Sequence, residues 1–196
     1  MRYDMLVAAV VLTGAVCQAS DWVVDPVHST VSFSVRHLMV SNVRGGFTNF
    51  SGSATYDPAN PTAFAVEGKI DVASVSTGNA MRDGHLQSPD FFDAKKFPSI
   101  TFKSKELKKS GDGYTLVGDM VMHGVTNSVT LQLTGLGEPV NFSGKHVGFS
   151  VTGQIDRSKF GLTYNKAIEA GGVVVGNEVQ VTADIEMVEK AKTAVP

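Results

Sequence analysis

The chain contains few of the residues on which covalent cross-links, thiol chemistry and nucleic-acid binding depend. Its 196 residues include one cysteine and one tryptophan, and 17 basic side chains face 19 acidic ones, which gives a net charge of -2. With no basic excess, nucleic acid is not an expected partner. The one long, largely apolar run, residues 5–16, is too short to span a bilayer.

The first 19 residues have the features of a cleavable export signal. Arg2 supplies a short basic start, residues 5–16 are largely apolar, and Ala19 is a small residue at a cleavage position. We expect cleavage after Ala19, which leaves residues 20–196 as one mature domain of ordinary size. An uncleaved membrane anchor is the less favoured alternative.

The single cysteine, Cys17, lies within this predicted signal. The mature chain then has no thiol, which excludes disulfides, cysteine nucleophiles and thiolate metal sites. A lipoprotein site at Cys17 is disfavoured because the preceding residue, Val16, is bulky.

The rest of the chain is dominated by apolar residues that alternate with polar ones, the pattern of strands with one buried face. The eight predicted strands contain residues 31–35, 43–56, 64–72, 100–102, 114–122, 129–133, 147–151 and 179–187. Turn sequences between them, such as residues 57–61 and 110–113, favour antiparallel hairpins. We therefore predict an all-β fold, an eight-stranded antiparallel, lipocalin-like barrel, because closure removes exposed edges. A two-sheet sandwich is the alternative, but some strands are long for one.

Glycines inside the predicted strands have two interpretations. They either permit sharp curvature at barrel corners or leave space for a ligand, and an eight-stranded barrel can be filled by side chains or hold one small ligand. The sequence leaves both interpretations open. The residues concerned are Gly45, Gly46, Gly52, Gly68, Gly118, Gly148 and Gly153.

One short helix is predicted between the third and fourth strands. Ser76 or Thr77 can cap it, and Pro89 follows its end. Gly84 weakens it by about 1 kcal/mol relative to alanine, so packing against the barrel must hold it. The expected anchors are three aromatic residues that follow it, Phe91, Phe92 and Phe97.

This helix carries the densest group of polar side chains, with Asn79, Arg82, Asp83 and His85 within seven residues. Arg82 is the best candidate to bind a phosphate, because its planar fork contacts two oxygens at once. Alternatively, Arg82 and Asp83 form an internal network that fixes the helix to the barrel. An enzyme that uses all four side chains for acid–base or metal chemistry is a third, less favoured interpretation.

The five histidines do not predict a metal site, because no pair has the spacing of a zinc motif. A hydrolase built on Asp25, His28 and Ser29 is also disfavoured. The chain has no nucleophile elbow, and neighbouring residues on a strand point to opposite faces. We expect neither metal ligands nor catalytic residues.

Several strings of residues match one known family. They are Asp25-Pro26-Val27-His28-Ser29, His37-Leu38-Met39-Val40, Thr77-Gly78-Asn79, Arg82-Asp83-Gly84-His85-Leu86, Phe91-Phe92-Asp93, Met122-His123-Gly124-Val125-Thr126 and Ile155-Asp156-Arg157-Ser158. By these strings the chain resembles the YceI-like polyisoprenoid-binding proteins of the bacterial periplasm, over residues 22–188. Residues 164–176 match no such string.

The resemblance implies a lipocalin-like barrel with an elongated apolar cavity, a periplasmic location and no catalysis. It implies a long isoprenoid lipid or an isoprenoid quinone as ligand, with no other cofactor, and a quinone-using membrane cytochrome as a partner. A scavenger of other amphiphiles or lipophilic antibiotics is the alternative. The sequence does not decide whether two barrels form a homodimer.

A hydrocarbon tail needs apolar walls, and a head group needs donors near the cavity mouth. The residues suited to the wall are Phe33, Val35, Phe64, Phe102, Met120, Met122, Phe149 and Val151. The residues suited to the head group are His37, Asn79, Arg82 and His85. Methionine suits a flexible tail because its unbranched side chain adapts to irregular shapes.

Overall fold

The computed structural model describes residues 19–167 and 172–191. The predicted signal peptide, residues 1–19, lies outside the described residues except for Ala19. Within the described ranges, no helix is long and apolar enough to cross a membrane.

The described chain contains twelve strands and one α-helix. The strands are β1 Ser20–Val24, β2 Thr30–His37, β3 Ser41–Phe47, β4 Phe50–Tyr56, β5 Ala65–Asp71, β6 Val75–Ser76, β7 Ser99–Ser110, β8 Gly113–Met122, β9 Val125–Thr134, β10 Val140–Asn141, β11 Lys145–Asp156 and β12 Val175–Glu189. The helix α1 is Ala80–Gln87, and short 3-10 helices occupy Pro61–Ala63, Val72–Ser74 and Arg157–Phe160.

These strands form a closed antiparallel barrel with eight strand positions. β1 and β2 pair with different parts of β12 and together occupy one strand position. β4 pairs with β1 and β3 pairs with β2, so β4 and β3 together form the next position. β5 and β6 form the third position, and β7, β8, β9, β11 and β12 supply the rest. The pairing of β11 with β12 closes the ring, and β10 pairs with β11 outside it. The predicted eight-stranded barrel with one short helix is confirmed.

The alternation of residues decides which side chains face the interior. In β12, Val179, Val181 and Ala183 point inwards, and Val181 pairs with Phe33 of β2. All eight predicted segments contain strand, but the segment predicted as one strand over residues 43–56 forms two, β3 and β4, with Thr48 and Asn49 between them. The strands β1, β6 and β10 were not predicted, because β6 and β10 are two residues long and β1 contains Trp22 between polar and apolar neighbours with no alternation.

A tightly packed core fills one end of the barrel. Its most deeply buried side chains, Trp22, Leu116, Leu133 and Met187, are at most 1% exposed. Each such side chain stabilises the fold by about 1.5–3 kcal/mol. A second cluster lies at the opposite end, near α1, and includes Val72, Ile100, Met122, Ile155, Phe160 and Leu162.

The helix α1 lies over this second end and buries none of its side chains. Asn79 caps it by accepting a hydrogen bond from the backbone N–H of Arg82, so the prediction that Ser76 or Thr77 is the cap was wrong. Ser76 is instead the last residue of β6. Gly84 is exposed, and a side chain there would meet nothing within 4 Å.

The aromatic residues after α1 anchor the segment at three places. Phe91 is buried, and its ring lies 5.0 Å from the imidazole of His85. Phe92 packs edge-on to Phe47 of β3, at 6.0 Å between ring centroids. Phe97 contacts His123, which begins the turn between β8 and β9. These contacts hold the segment on the barrel although α1 itself is not buried.

Candidate functional site

A cavity of about 270 Å³ lies inside the barrel, between the two packed clusters. Members of both clusters line it, Leu131 and Phe149 from one and Ile100 and Ile155 from the other. The lining side chains are almost all apolar. Such walls bind hydrocarbon without directional contacts, so they select apolar molecules in general and do not distinguish one apolar molecule from another.

The predicted wall residues lie mostly where the sequence places them. Those that line the cavity are Phe33, Val35, Phe102, Met120, Met122, Phe149 and Val151. Phe64 is not among the lining residues: its ring packs edge-on against Phe149 at 5.3 Å and Tyr56 at 5.9 Å, within the packed end. Contact of the wall residues with a lipid stays a prediction.

The cavity is elongated along the strands. In β12 the inward residues from Val179 to Ile185 all border it. Six residues of strand span about 20 Å at about 3.3 Å each, and the tilt of strands in a barrel reduces this to about 15 Å along the axis. A linear, flexible chain therefore fits this space better than a compact one.

Two of the strand glycines make room inside the barrel in different ways, and a role of the glycines in barrel curvature stays a prediction. A side chain at Gly45 would meet the ring of Phe33 at 2.6 Å, so this glycine makes room for an aromatic wall residue. Gly52 and Gly68 pair across β4 and β5 and both border the cavity. A side chain at Gly68 would find nothing nearer than 4.0 Å. Gly68 therefore leaves open space inside the barrel.

The four residues predicted to hold a head group are not among the lining residues. Arg82 donates from Nε to the hydroxyl of Thr77 at 2.7 Å and from Nη2 to its carbonyl oxygen at 2.9 Å. Asp83 accepts from the N–H of Thr77 at 2.8 Å and from its hydroxyl at 2.5 Å. With Asn79 as cap, these bonds fix the first turn of α1 to the end of β6. This is the internal network that the sequence offered as an alternative.

His85 and His37 also lie at the α1 end. His85 Nε2 is 2.9 Å from Asp90 Oδ2, and its ring is edge-on to Tyr164 at 5.1 Å. His37 ends β2 and pairs with Val175, a cavity residue. These histidines border the end of the barrel without lining the cavity.

Arg157, which was not among the predicted site residues, is 4% exposed and borders the cavity. Its guanidinium donates to four carbonyl oxygens, from Nε to Gly176 at 2.9 Å, from Nη1 to Leu162 at 2.6 Å and from Nη2 to Tyr164 at 3.0 Å and Val175 at 3.2 Å. Within residues 19–167 and 172–191, no carboxylate forms an ion pair with it. Burial lowers the pKa of Arg157 from its usual value.

Arg157 places a positive charge at the α1 end of an otherwise apolar cavity. Carbonyl dipoles compensate this charge only in part, because a buried cation is best compensated by a carboxylate or another anion. The available signal was the family string Ile155-Asp156-Arg157-Ser158, which places Arg157 directly after β11, at the start of a 3-10 helix. The arrangement can bind a linear apolar chain with an electronegative group beside the guanidinium.

A separate group of ionisable residues lies on the outer surface, where β1 and β2 meet. Asp25 Oδ2 is 2.7 Å from His28 Nδ1, and Asp25, His28 and Glu186 bring three potential metal-ligand atoms within 4.8 Å of one another. The hydrogen bond to His28 lowers the pKa of Asp25, and the same bond raises the pKa of His28. Ser29 bonds instead to the backbone of Glu186. The hydroxyl, imidazole and carboxylate thus do not form the relay that a hydrolase needs.

The sequence matches the model of the YceI-like domain over residues 22–187. It is 39% identical over 159 residues to a UPF0312 protein of Yersinia pestis (strain Pestoides F), covering 79% of this chain and 82% of that protein. It is also 39% identical over 163 residues to a UPF0312 protein of Yersinia enterocolitica, covering 81% and 84% respectively.

Three solved structures share the barrel. The crystal structure of BcnA from Burkholderia cenocepacia gives a TM-score of 0.72 at 27% identity, covering 83% of this chain and 98% of that one. A YceI protein from Campylobacter jejuni gives 0.67 at 31% identity, covering 80% and 90%. A polyisoprenoid binding domain from Saccharophagus degradans gives 0.62 at 15% identity, covering 86% and 98%, a likeness of fold alone. With the domain match and the 39% identical relatives, these findings place the chain in the YceI-like family.

Proposed function

We propose that the protein binds a long-chain isoprenoid lipid, either a polyprenyl lipid or an isoprenoid quinone, and carries or buffers it in the periplasm. The observation that carries the proposal is the elongated apolar cavity inside the barrel. The fold shared with the polyisoprenoid binding domain from Saccharophagus degradans supports it. The predicted export signal supports the location.

The tail is the part of the ligand that supplies the binding energy. An isoprenoid tail has no hydrogen-bonding groups, so burial of its surface must drive binding, at about 25 cal/mol per Å². A tail that buries about 300 Å² gains about 7–8 kcal/mol, which the entropic cost of association then reduces. Met120 and Met122 on the wall adapt to the kinks of such a chain.

The head group lies at the α1 end, beside Arg157. At this end the buried guanidinium forms no ion pair with a carboxylate of the described residues, and the charge of Asp156 acts on it only from beyond ion-pair distance. A phosphate or a quinone carbonyl would complete its electrostatic environment. His37, Asn79, Arg82 and His85 border the same end, and their contact with the head group stays a prediction.

The lipid enters and leaves under α1. Most of the cavity wall is formed by paired strands, and at the α1 end it is completed by Leu86 of α1 and by Phe91 and Phe92 after it. The helix α1 has no buried side chain and is held by the Thr77 network and by the ring of His85. Elements with few buried contacts open at the lowest free-energy cost. Movement of α1 would therefore expose the cavity while the barrel stays intact.

The direct test is mass spectrometry of an organic extract from protein purified out of the periplasm without detergent. A stoichiometric isoprenoid lipid or quinone is the expected result. An empty extract, from protein that also fails to take up a quinone or a polyprenyl phosphate in vitro, would overturn the proposal.

A scavenger of lipophilic compounds is the second candidate function, because walls that are almost wholly apolar select for hydrocarbon character more than for identity. Competition between a lipophilic antibiotic and the resident lipid distinguishes the two. Efficient displacement at equal concentrations favours the scavenger, and retention of the lipid favours the carrier.

The polar side chains at α1 bind neighbouring protein groups and have no catalytic role in this function; they are Asn79, Arg82, Asp83 and His85. Arg82→Ala is expected to alter the stability of α1 or the affinity for lipid. It should abolish no enzymatic activity, because a carrier turns over no substrate. A quinone-using membrane cytochrome is the proposed exchange partner.

A further inference from the structure

The hairpin between β2 and β3 ends in a tight turn whose two central residues are of types that its backbone conformation disfavours. The N–H of Val40 donates to the carbonyl oxygen of His37 at 3.1 Å, which closes a four-residue turn. The two central residues, Leu38 and Met39, have φ angles of 50° and 64°. This is the backbone of a type I′ turn, which strongly favours Asn-Gly because bulky residues are strained at positive φ.

The same residues are exposed to solvent. Met39 is 51% and Val40 75% exposed, and Leu38 is 39% exposed. Three consecutive apolar side chains thus project from a turn in which two of them are conformationally disfavoured. The tight turn imposes the positive φ angles, yet bulky apolar residues occupy it in place of Asn and Gly. Strain of this kind clusters at functional positions, and exposed apolar residues mark a surface that contacts something else.

The turn continues the wall of the cavity at its α1 end. Val35, which lines the cavity, lies on β2 three residues before Leu38, the first central residue of the turn. The N–H of Leu38 donates to the carbonyl oxygen of Val174 at 2.9 Å, next to the cavity residue Val175. The exposed tip and the buried Arg157 therefore lie at the same end of the barrel, since Arg157 also bonds to Val175.

The hairpin below the tip is basic. Arg36 and Arg44 are exposed on its outer face, and the residues paired with them across the two strands, Asn42 and Ser34, are uncharged. Arg36 donates from Nη2 to the carbonyl oxygen of Met39 at 2.8 Å, which holds its charge close to the tip. Within the described part of the chain, neither arginine forms an ion pair.

We propose that residues 38–40 insert into an anionic lipid membrane and dock the α1 end of the barrel on it. An apolar tip flanked by arginines complements the two layers of such a surface, the acyl region and the negatively charged head groups. The inference rests on the proposed function, because docking at this end would let a lipid move between the bilayer and the cavity without crossing water.

The test is co-sedimentation of the mature chain with vesicles of phosphatidylcholine and phosphatidylglycerol in a 3:1 ratio. The variant Leu38→Asn/Met39→Gly puts the preferred pair into the same turn, so it removes the apolar tip without harming the hairpin. We expect its bound fraction to fall at least tenfold. The double variant Arg36→Gln/Arg44→Gln should bind these vesicles more weakly than the wild type. Its remaining binding should depend much less on salt concentration, because the screened charges are gone.

Phe142→Asn is the matched control. Phe142 is 79% exposed and follows β10, at the opposite end of the barrel. Its replacement removes a larger exposed apolar side chain and should leave vesicle binding unchanged. Equal binding of the Asn-Gly variant and the wild type would overturn the proposal, as would a wild type that binds no vesicles.

Loading from a dilute ethanolic solution of quinone separates this inference from the proposed function. Without a membrane, the Asn-Gly variant should load as the wild type does. If neither protein loads, the proposed function fails, and vesicle binding alone then decides whether the tip is a membrane contact.

Discussion

Gly68 pairs with Phe102 across β5 and β7, and the space that a side chain at Gly68 would occupy belongs to the cavity. The ring of Phe102 thus forms part of the cavity wall on β7, whereas Gly68, its partner on β5, contributes only backbone. The volume of the cavity depends on this pairing of a large side chain with a residue that has no side chain.

Filling this space should separate ligand binding from stability. Gly68→Leu is expected to reduce retained lipid at least tenfold, while the protein becomes no less stable, because the new side chain enters apolar space and gains about 1.5–3 kcal/mol of burial. Lipid content by mass spectrometry and urea unfolding measure the two effects. Unchanged lipid retention in a folded Gly68→Leu protein would exclude the cavity as the binding site.

Gly84→Ala provides the control for that variant. This glycine is exposed in α1, its φ is not in the left-handed region, and an added side chain meets nothing within 4 Å. Alanine should stabilise the helix by about 0.5–1 kcal/mol without altering the amount of lipid bound. A loss of stability in thermal unfolding would contradict this account of α1.

The hydroxyl of Thr77 joins Arg82 to Asp83, so its removal should loosen α1. In Thr77→Val both charged groups lose a partner, and we expect the local opening of residues 80–87 to become easier by about 1–2 kcal/mol. Hydrogen exchange of the α1 amides measures this directly. Thr77→Ser retains the hydroxyl and should exchange as the wild type does; equal protection in all three proteins would mean that the network does not hold the helix.

Arg157 should make the cavity prefer ligands with an electronegative head. A polyprenyl phosphate is expected to bind at least tenfold more tightly than the alcohol of the same chain length, because the phosphate compensates a buried charge. The preference should change little with salt, since buried pairs are weakly screened. Titration of the mature protein with both lipids measures it, and equal affinities would place the head group elsewhere.

The pair formed by Asp25 and His28 predicts a specific pH dependence. The pKa of His28 is raised above 6.5, so its stabilising contribution is complete below pH 6.5 and is lost as the pH rises through the higher folded value. The pKa of Asp25 is lowered below 3.8, so its contribution is complete above pH 3.8 and is lost as the pH falls through the lower folded value. The pair is therefore most effective between about pH 4 and pH 6.5.

An NMR titration of the His28 imidazole tests this dependence. Asp25→Asn should bring its midpoint back towards 6.5, because the largest cause of the shift is then removed. Asp90→Asn, which removes the partner of His85, is the control and should leave the His28 midpoint unchanged. A His28 midpoint that does not respond to Asp25→Asn would show that the hydrogen bond is not formed in solution.

The fold could be predicted from the sequence because its signals are local. Alternation along β12, for example, shows which side chains of Val179, Val181 and Ile185 share a face without reference to any other strand. The turn residues mark where strands end, and the family strings indicate the YceI-like domain. The polar helix was recognisable for the same reason, as an interruption of the alternating pattern.

The site depended on tertiary structure. Alternation shows that Phe64 and Phe102 both face inwards, but only the register of the closed barrel decides that Phe64 meets Phe149 and Tyr56 while Phe102 meets open space beside Gly68. The position of a side chain along the barrel axis comes from strand stagger, which no single strand specifies.

The charged groups were least predictable for a related reason. Arg82 stands out in the sequence, yet the end of β6 brings Thr77 within its reach and away from the cavity. Arg157 lies in a family string that does not show whether it is buried, and it becomes a buried cation because Leu162 and Val175, from separate segments, turn their carbonyl oxygens towards it. The sequence by itself determined that this chain forms a barrel with an apolar interior. Long-range pairing decided where that interior stays open and which charge lies beside it, because both depend on partners that are distant in the chain.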